Sequence, residues 1–100
     1  MTKADALDRL RSCEVDLRTL GITRLAIFGS TARDEARSDS DVDLVAGLDY
    51  DAVRRLGPFG YFGIEDRIGE MLGAKVDLVT EPVCKPWLKA EIDRDRVHVF

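Results

Sequence analysis

Asp41 and Asp43 flank Val42 at the head of a run that reads as a strand from Val42 to Leu48. Side chains alternate faces along a strand, so the two carboxylates point one way while Val42 and Leu44 point into a core. Like charges about 5–7 Å apart repel, and in a partly buried site the cost reaches a few kcal/mol. A cation offsets that repulsion. Hard oxygen donors on a rigid strand suit Mg²⁺, which binds through one or two carboxylates together with substrate phosphates. Asp77 repeats the pattern between Val76 and Leu78, where a mid-strand charge is expensive unless it serves a purpose. If the two strands are neighbours, three carboxylates share one face. That arrangement fits two metal ions clamping a phosphoryl transfer.

Gly29-Ser30 supplies the complementary half. A strand that ends in Gly-Ser and opens into a helix aims backbone N–H groups and a hydroxyl at whatever lies in front, a geometry suited to phosphate and favoured by the helix dipole. Arg33, one turn on, can add a bidentate phosphate contact. Gly29→Val is expected to weaken nucleotide binding while leaving the fold largely intact. Taken singly, each feature has an ordinary structural explanation. Gly-Ser caps many helices, Arg33 and Arg37 can pair with Asp34, Glu35 or Asp39, and Asp77 can be met by Lys75 or a backbone donor. The combination carries more: Gly-Ser, ten intervening residues, Asp-x-Asp, and a third strand aspartate downstream.

The elements that must position these residues follow from apolar spacing. Thr2 reads as an N-cap with Asp5 three residues on, and Leu7, Leu10, Leu17 and Leu20 recur at helical spacing up to Gly21. Strands are predicted over 24–28, 42–48, 75–79 and 96–100, and helices over 31–37, 59–72 and 87–92. Tyr61, Ile64, Ile68 and Met71 mark one face of the helix after Gly57-Pro58. The order α-β-α-β-α-β-α-β is that of an α/β or α+β domain, with a sheet covered mainly on one side. Cys13 and Trp87 read as core residues, Trp87 as a lid, and His98 as a surface or edge residue. Phe59, Tyr61 and Phe62 read as packing residues or, less simply, a partner-facing patch.

Length and charge bound the function. One hundred residues make a single domain, 1–100, whose thin core cannot enclose a large substrate alone. Fifteen basic against nineteen acidic residues leave a net charge of −4, without the basic surface that non-specific nucleic-acid binding requires. No apolar run approaches the ~18–20 residues of a membrane span. Residues 1–20 do not form a signal peptide, and two cysteines make no disulfide framework. A reduced, cytoplasmic protein is expected.

Gly29-Ser30, ten residues, then Asp41-Val42-Asp43 resembles the signature of the polymerase-β-type nucleotidyltransferase superfamily. The string over 29–45 is closer still to its minimal members, the MNT antitoxins paired with HEPN-domain toxins. Leu72-Gly73-Ala74-Lys75-Val76-Asp77-Leu78-Val79 is similar to the family's second block. The resemblance spans roughly residues 5–100. It implies a small mixed sheet, Asp41 and Asp43 as Mg²⁺ ligands with Asp77 completing the triad, two ions, and Gly29 and Ser30 on the nucleotide phosphates. It further implies transfer of AMP from ATP to a hydroxyl, a tyrosine of a cognate HEPN ribonuclease toxin, which is thereby silenced. With no acceptor domain of its own, the chain is expected to need that partner to supply the hydroxyl. The alternative is an antitoxin that neutralises by occlusion, its nucleotide site vestigial. A small-molecule transferase of the antibiotic-modifying kind fits less well. Two departures stand out. Family members often have Gly where this chain has Asp34, and the C-terminal segment reads Asp95-Arg96-Val97-His98-Val99.

Overall fold

The computed structural model describes every residue except Ser38 and Phe59, and for Tyr61 and Phe62 the backbone alone. Its frame is a four-stranded mixed sheet in the order β3-β2-β1-β4. β1 (Ile22–Phe28) and β2 (Val42–Leu48) are antiparallel, β3 (Val76–Thr80) runs parallel to β2, and β4 (Val97–His98) is antiparallel to β1. β2 is thus central. Its even-numbered residues Val42, Leu44 and Ala46 are buried on one face, and Val45 is buried on the other.

Helices α1 (Lys3–Ser12), α2 (Glu14–Thr19), α4 (Tyr50–Arg55) and α5 (Gly60–Leu72) supply Leu10, Leu17, Val53, Ile64, Ile68 and Leu72 to the core that includes Leu25, Ile27, Val42 and Leu44. The opposite face carries a smaller cluster of Ala26, Phe28 and Val45 with Ile92 of α6 (Pro86–Asp95). The sheet is therefore covered mainly on one side, as the pattern predicts.

The differences from the sequence reading are local. The predicted first helix is two, α1 and α2. The Ser12 hydroxyl donates to the Arg9 carbonyl at 2.7 Å, and Cys13 leaves helical geometry before Leu17 resumes the ladder on the Cys13 carbonyl. The predicted Thr2 cap is present, its Oγ1 accepting from Asp5 N at 3.1 Å. α4 is absent from the sequence reading. It is six residues long, capped by Asp49 Oδ1 accepting from Asp51 N at 3.0 Å, and too short to show a period. The helix expected over 31–37 is a single turn, α3 (Gly29–Ala32), because Asp34 takes a left-handed φ of 59°. Where the family often has Gly, the backbone here has the conformation that favours Gly. Asp is among the few other residues that tolerate it, and Asp34 Oδ1 also accepts from Lys3 N at 3.0 Å.

Trp87 is not a core lid. It is 64% exposed, with Lys85 Nζ 5.9 Å from its ring centroid. His98 is exposed on β4, and Cys13 is half-buried against the main core. The aromatic patch proposed at Phe59, Tyr61 and Phe62 lies outside the described residues and side chains. No helix among the described residues is long and apolar enough to cross a membrane.

Candidate active site

Strand register assembles the site. Phe28 of β1 pairs with Asp43 of β2, and Asp43 pairs with Asp77 of β3, so Gly29, Asp43 and Asp77 occupy the same end of three adjacent strands. Neighbouring strands lie about 4.8 Å apart, and two residues along a strand span about 6.6 Å, which sets Asp41 on the same side just before β2 begins. This is the face of Ala26, Phe28 and Val45, the one that α6 covers only in part.

Gly29 shows how tightly the turn meets the carboxylate. Its φ is +68°, and a Cβ placed on it would lie 2.3 Å from Asp43 Oδ2. Any side chain there would strain the left-handed backbone and force the Asp43 carboxylate to move. The sequence expectation that Gly29→Val would spare the fold is therefore corrected, since both the backbone conformation and the carboxylate oppose a side chain. α3 is one turn long, so the dipole expected of a longer helix is small. What the turn offers an anion is its backbone N–H groups and the half-buried Ser30, whose hydroxyl has no partner among the described residues.

Asp43 is half-buried, and its carboxylate accepts no hydrogen bond among the described residues. Burial is the largest influence on its acidity, followed by the negative charges of Asp77, Glu91 and Asp41; Arg33 pulls the other way. Together they raise its pKa from 3.8 to about 6. Asp77, which the sequence reading treats as a costly mid-strand charge, is exposed, because β3 is the sheet's edge. Among the described residues, neither Lys75 nor a backbone donor engages it. Asp41 is also exposed.

Arg33 is reached by other groups than those named as its ordinary partners, Glu35 excepted. Its Nε donates to Glu35 at 3.1 Å and its Nη1 to Asp95, at the end of α6, at 2.6 Å. Nη2 has no partner among the described residues.

Two acidic residues near the site escape the sequence reading. Glu91 and Asp95 lie on a segment predicted only to residue 92, and charges on a short helix look like a solvated face. The spacing Leu88, Glu91, Ile92 and Asp95 is the usable signal, since it marks one face of a helix that runs on to 95.

Among the described residues, no three His, Cys, Asp or Glu side chains are gathered closely enough to hold an ion by themselves. Asp41, Asp43 and Asp77 nevertheless fit Mg²⁺ in donor type. They are hard oxygens on one face, unpaired by hydrogen bonds among the described residues, and phosphate oxygens would complete the set.

Residues 7–98 match the family model described as a nucleotidyltransferase domain. The chain belongs to the nucleotidyltransferase domain family. It is 37% identical over 79 residues to a Methanocaldococcus jannaschii protein provisionally named a protein adenylyltransferase, covering 78% of this chain and 76% of that one. It is 33% identical over 79 residues to the protein adenylyltransferase MntA of Thermococcus cleftensis, covering 79% and 76%. A solved structure provisionally described as a minimal nucleotidyltransferase superposes with a TM-score of 0.67 at 28% identity, over 97% of this chain and 95% of that one. A Shewanella oneidensis complex of a tri-AMPylated HEPN toxin with MNT antitoxin gives a TM-score of 0.61 at 15% identity, over 94% and 71%. At that identity the likeness is one of fold. As a nucleotidyltransferase, the chain has its Asp-x-Asp pair and its Gly-Ser turn on one end of the sheet.

Proposed function

We propose that this nucleotidyltransferase transfers AMP from ATP to a hydroxyl of a partner protein, a tyrosine of a HEPN-domain toxin, and so acts as its antitoxin. The observation that carries the reading is the approach of the Gly29 turn to the Asp43 carboxylate, with Asp77 in register beside it. It sets a phosphate-binding turn against the group suited to an accompanying cation. The names of the similar proteins, protein adenylyltransferases and an antitoxin bound to a HEPN toxin, support the donor and the partner.

In this reading Gly29 N–H and Ser30 orient the triphosphate, with Arg33 Nη2 free to reach a phosphate oxygen. Asp41 and Asp43 are the Mg²⁺ ligands, and Asp77 completes the set. Bound Mg²⁺ supplies positive charge against the phosphate oxygens as pyrophosphate departs. The acceptor oxygen bonds to the α-phosphorus in line with the bond to the bridging oxygen that breaks. Asp77, exposed on the edge strand, is the carboxylate best placed to take the hydroxyl proton.

The purified chain, its partner, ATP and Mg²⁺ are incubated and the partner is weighed by mass spectrometry. A gain of one or more AMP groups, absent with Asp43→Asn, is the expected result. An inhibited partner of unchanged mass would mean neutralisation by occlusion and would overturn the transfer reading.

A further inference from the structure

Asp95 ends α6, and its side chain is only 5% exposed. A carboxylate so withdrawn from water is costly unless it is paired and hydrogen-bonded. Two guanidinium groups meet it. Arg94, its chain neighbour, donates from Nε at 3.0 Å and from Nη2 at 3.1 Å, with a side chain 66% exposed. Arg33 donates from Nη1 at 2.6 Å, the shortest of the three bonds, from 62 residues away in sequence. The Arg94 and Arg33 bonds hold the Asp95 carboxyl below the usual carboxylate range, against the burial that raises it.

Arg94 would suffice to pair Asp95 locally, so the long-range bond has another consequence. Arg33 projects from the point where α3 has already ended, and a free arginine there would sample many rotamers that binding a ligand would have to order. Fastened by Nη1 to Asp95 and by Nε to Glu35, the planar fork keeps one orientation. Nη2 is left without a partner among the described residues. Arg33 is also near enough to pull the pKa of Asp43 down, which places its charge in the field of the carboxylate site.

We propose that Asp95 is a positioning residue for nucleotide binding: from the end of α6 it holds the Arg33 guanidinium beside the Gly29–Ser30 turn, ready to meet a phosphate through Nη2. This rests on the nucleotidyl-transfer reading above in taking a nucleoside triphosphate as the ligand. It also gives the C-terminal helix a part in the site. The acidic residue before β4, which the sequence marks only as part of a departure, becomes the anchor of the arginine that follows Gly-Ser.

The test is a double-mutant cycle on ATP affinity, measured with the full chain in Mg²⁺ by isothermal titration calorimetry. Melting temperatures are recorded for every variant. Arg33→Gln is expected to weaken ATP about tenfold, the order of one charge-assisted hydrogen bond. Asp95→Asn keeps the shape and is expected to weaken ATP several-fold alone but not at all in the Arg33→Gln background. Arg94→Gln, which removes the other partner of Asp95, is expected to leave ATP affinity unchanged. Asp95→Glu covers the case in which Asp95→Asn does not fold. It keeps the charge and shifts the guanidinium by about one methylene, and a several-fold loss at unchanged melting temperature is expected. Equal ATP affinity in the parent, Asp95→Asn and Asp95→Glu overturns the role of Asp95. So does an Asp95→Asn loss that persists in full without Arg33, since that is the mark of a general structural effect. A parent that binds no ATP overturns the nucleotide reading itself, an outcome distinct from both.

Discussion

The carboxyl of Asp43, pushed up to about 6, makes this position a source of instability when no cation is bound. The folded pKa lies above the unfolded value of 3.8, so the penalty is fully present above pH 6. It shrinks as pH falls through 6 and is gone below about pH 4. Asp43→Asn in EDTA should therefore melt higher than the parent at pH 7.5, by on the order of 1 kcal/mol once solvent screening of a half-exposed group is allowed for. That is several degrees for a domain of this size. Melts from pH 4.5 to 8 should show the gap closing toward the acid end, and a gap independent of pH would remove Asp43 as its source. Asp77→Asn should give a smaller gain, since burial acts on Asp43 more strongly than the charge of Asp77 does. Gly29→Ala should act oppositely, costing about 1–2 kcal/mol through its left-handed backbone and the collision with Asp43. ATP affinity, measured beside the melt, should fall as well.

At the scale of elements, α3 and the turn after it decide where Arg33 points, and Asp34 ends α3 in a conformation few residues accept. Asp34→Ala should destabilise by about 1 kcal/mol, because alanine loses the bond to Lys3 N and pays the left-handed cost without a polar side chain. Asp34→Gly should stay within about 0.5 kcal/mol of the parent. Chemical denaturation of the three proteins checks both figures, and an Ala variant as stable as the parent would mean the turn is not strained. What the sequence discloses and what it hides divide along the same line. Asp41, Asp43, Gly29 and Ser30 are legible because they sit within one continuous strand–helix–strand stretch, where period-two alternation and a fixed spacing are enough. Asp77 needs the further assumption that β3 lies beside β2. Glu91 and Asp95 depend on how α6 crosses the sheet, which no local pattern records, and the break at Cys13 turns on one serine hydroxyl. α4 is too short for any period to appear.

For the molecule as a whole, four carboxylates (Asp41, Asp43, Asp77 and Glu91) gather at one end of the sheet in a chain of net charge −4. A partner that docks there should present a basic surface. Its association rate should then fall as salt rises, since steering is screened over about 8–10 Å at near-physiological ionic strength. Stopped-flow mixing at several salt concentrations measures this. A flat response would point to an apolar contact instead, for which exposed Trp87 is the first candidate. The pairing of Asp43 with Asp77 has a consequence for how such a molecule can go wrong. Side chains on β3 alternate, so sliding it by one residue along β2 would turn Asp77 toward Ile64, Ile68 and Leu44 and bury a carboxylate without a partner. The apolar layer therefore proofreads the polar one: misaligned chains are penalised by the core before any substrate is met. Insertions in the segment between α5 and β3 should accordingly be found as lost protein, in the insoluble fraction, rather than as folded chains that have fallen out of phase.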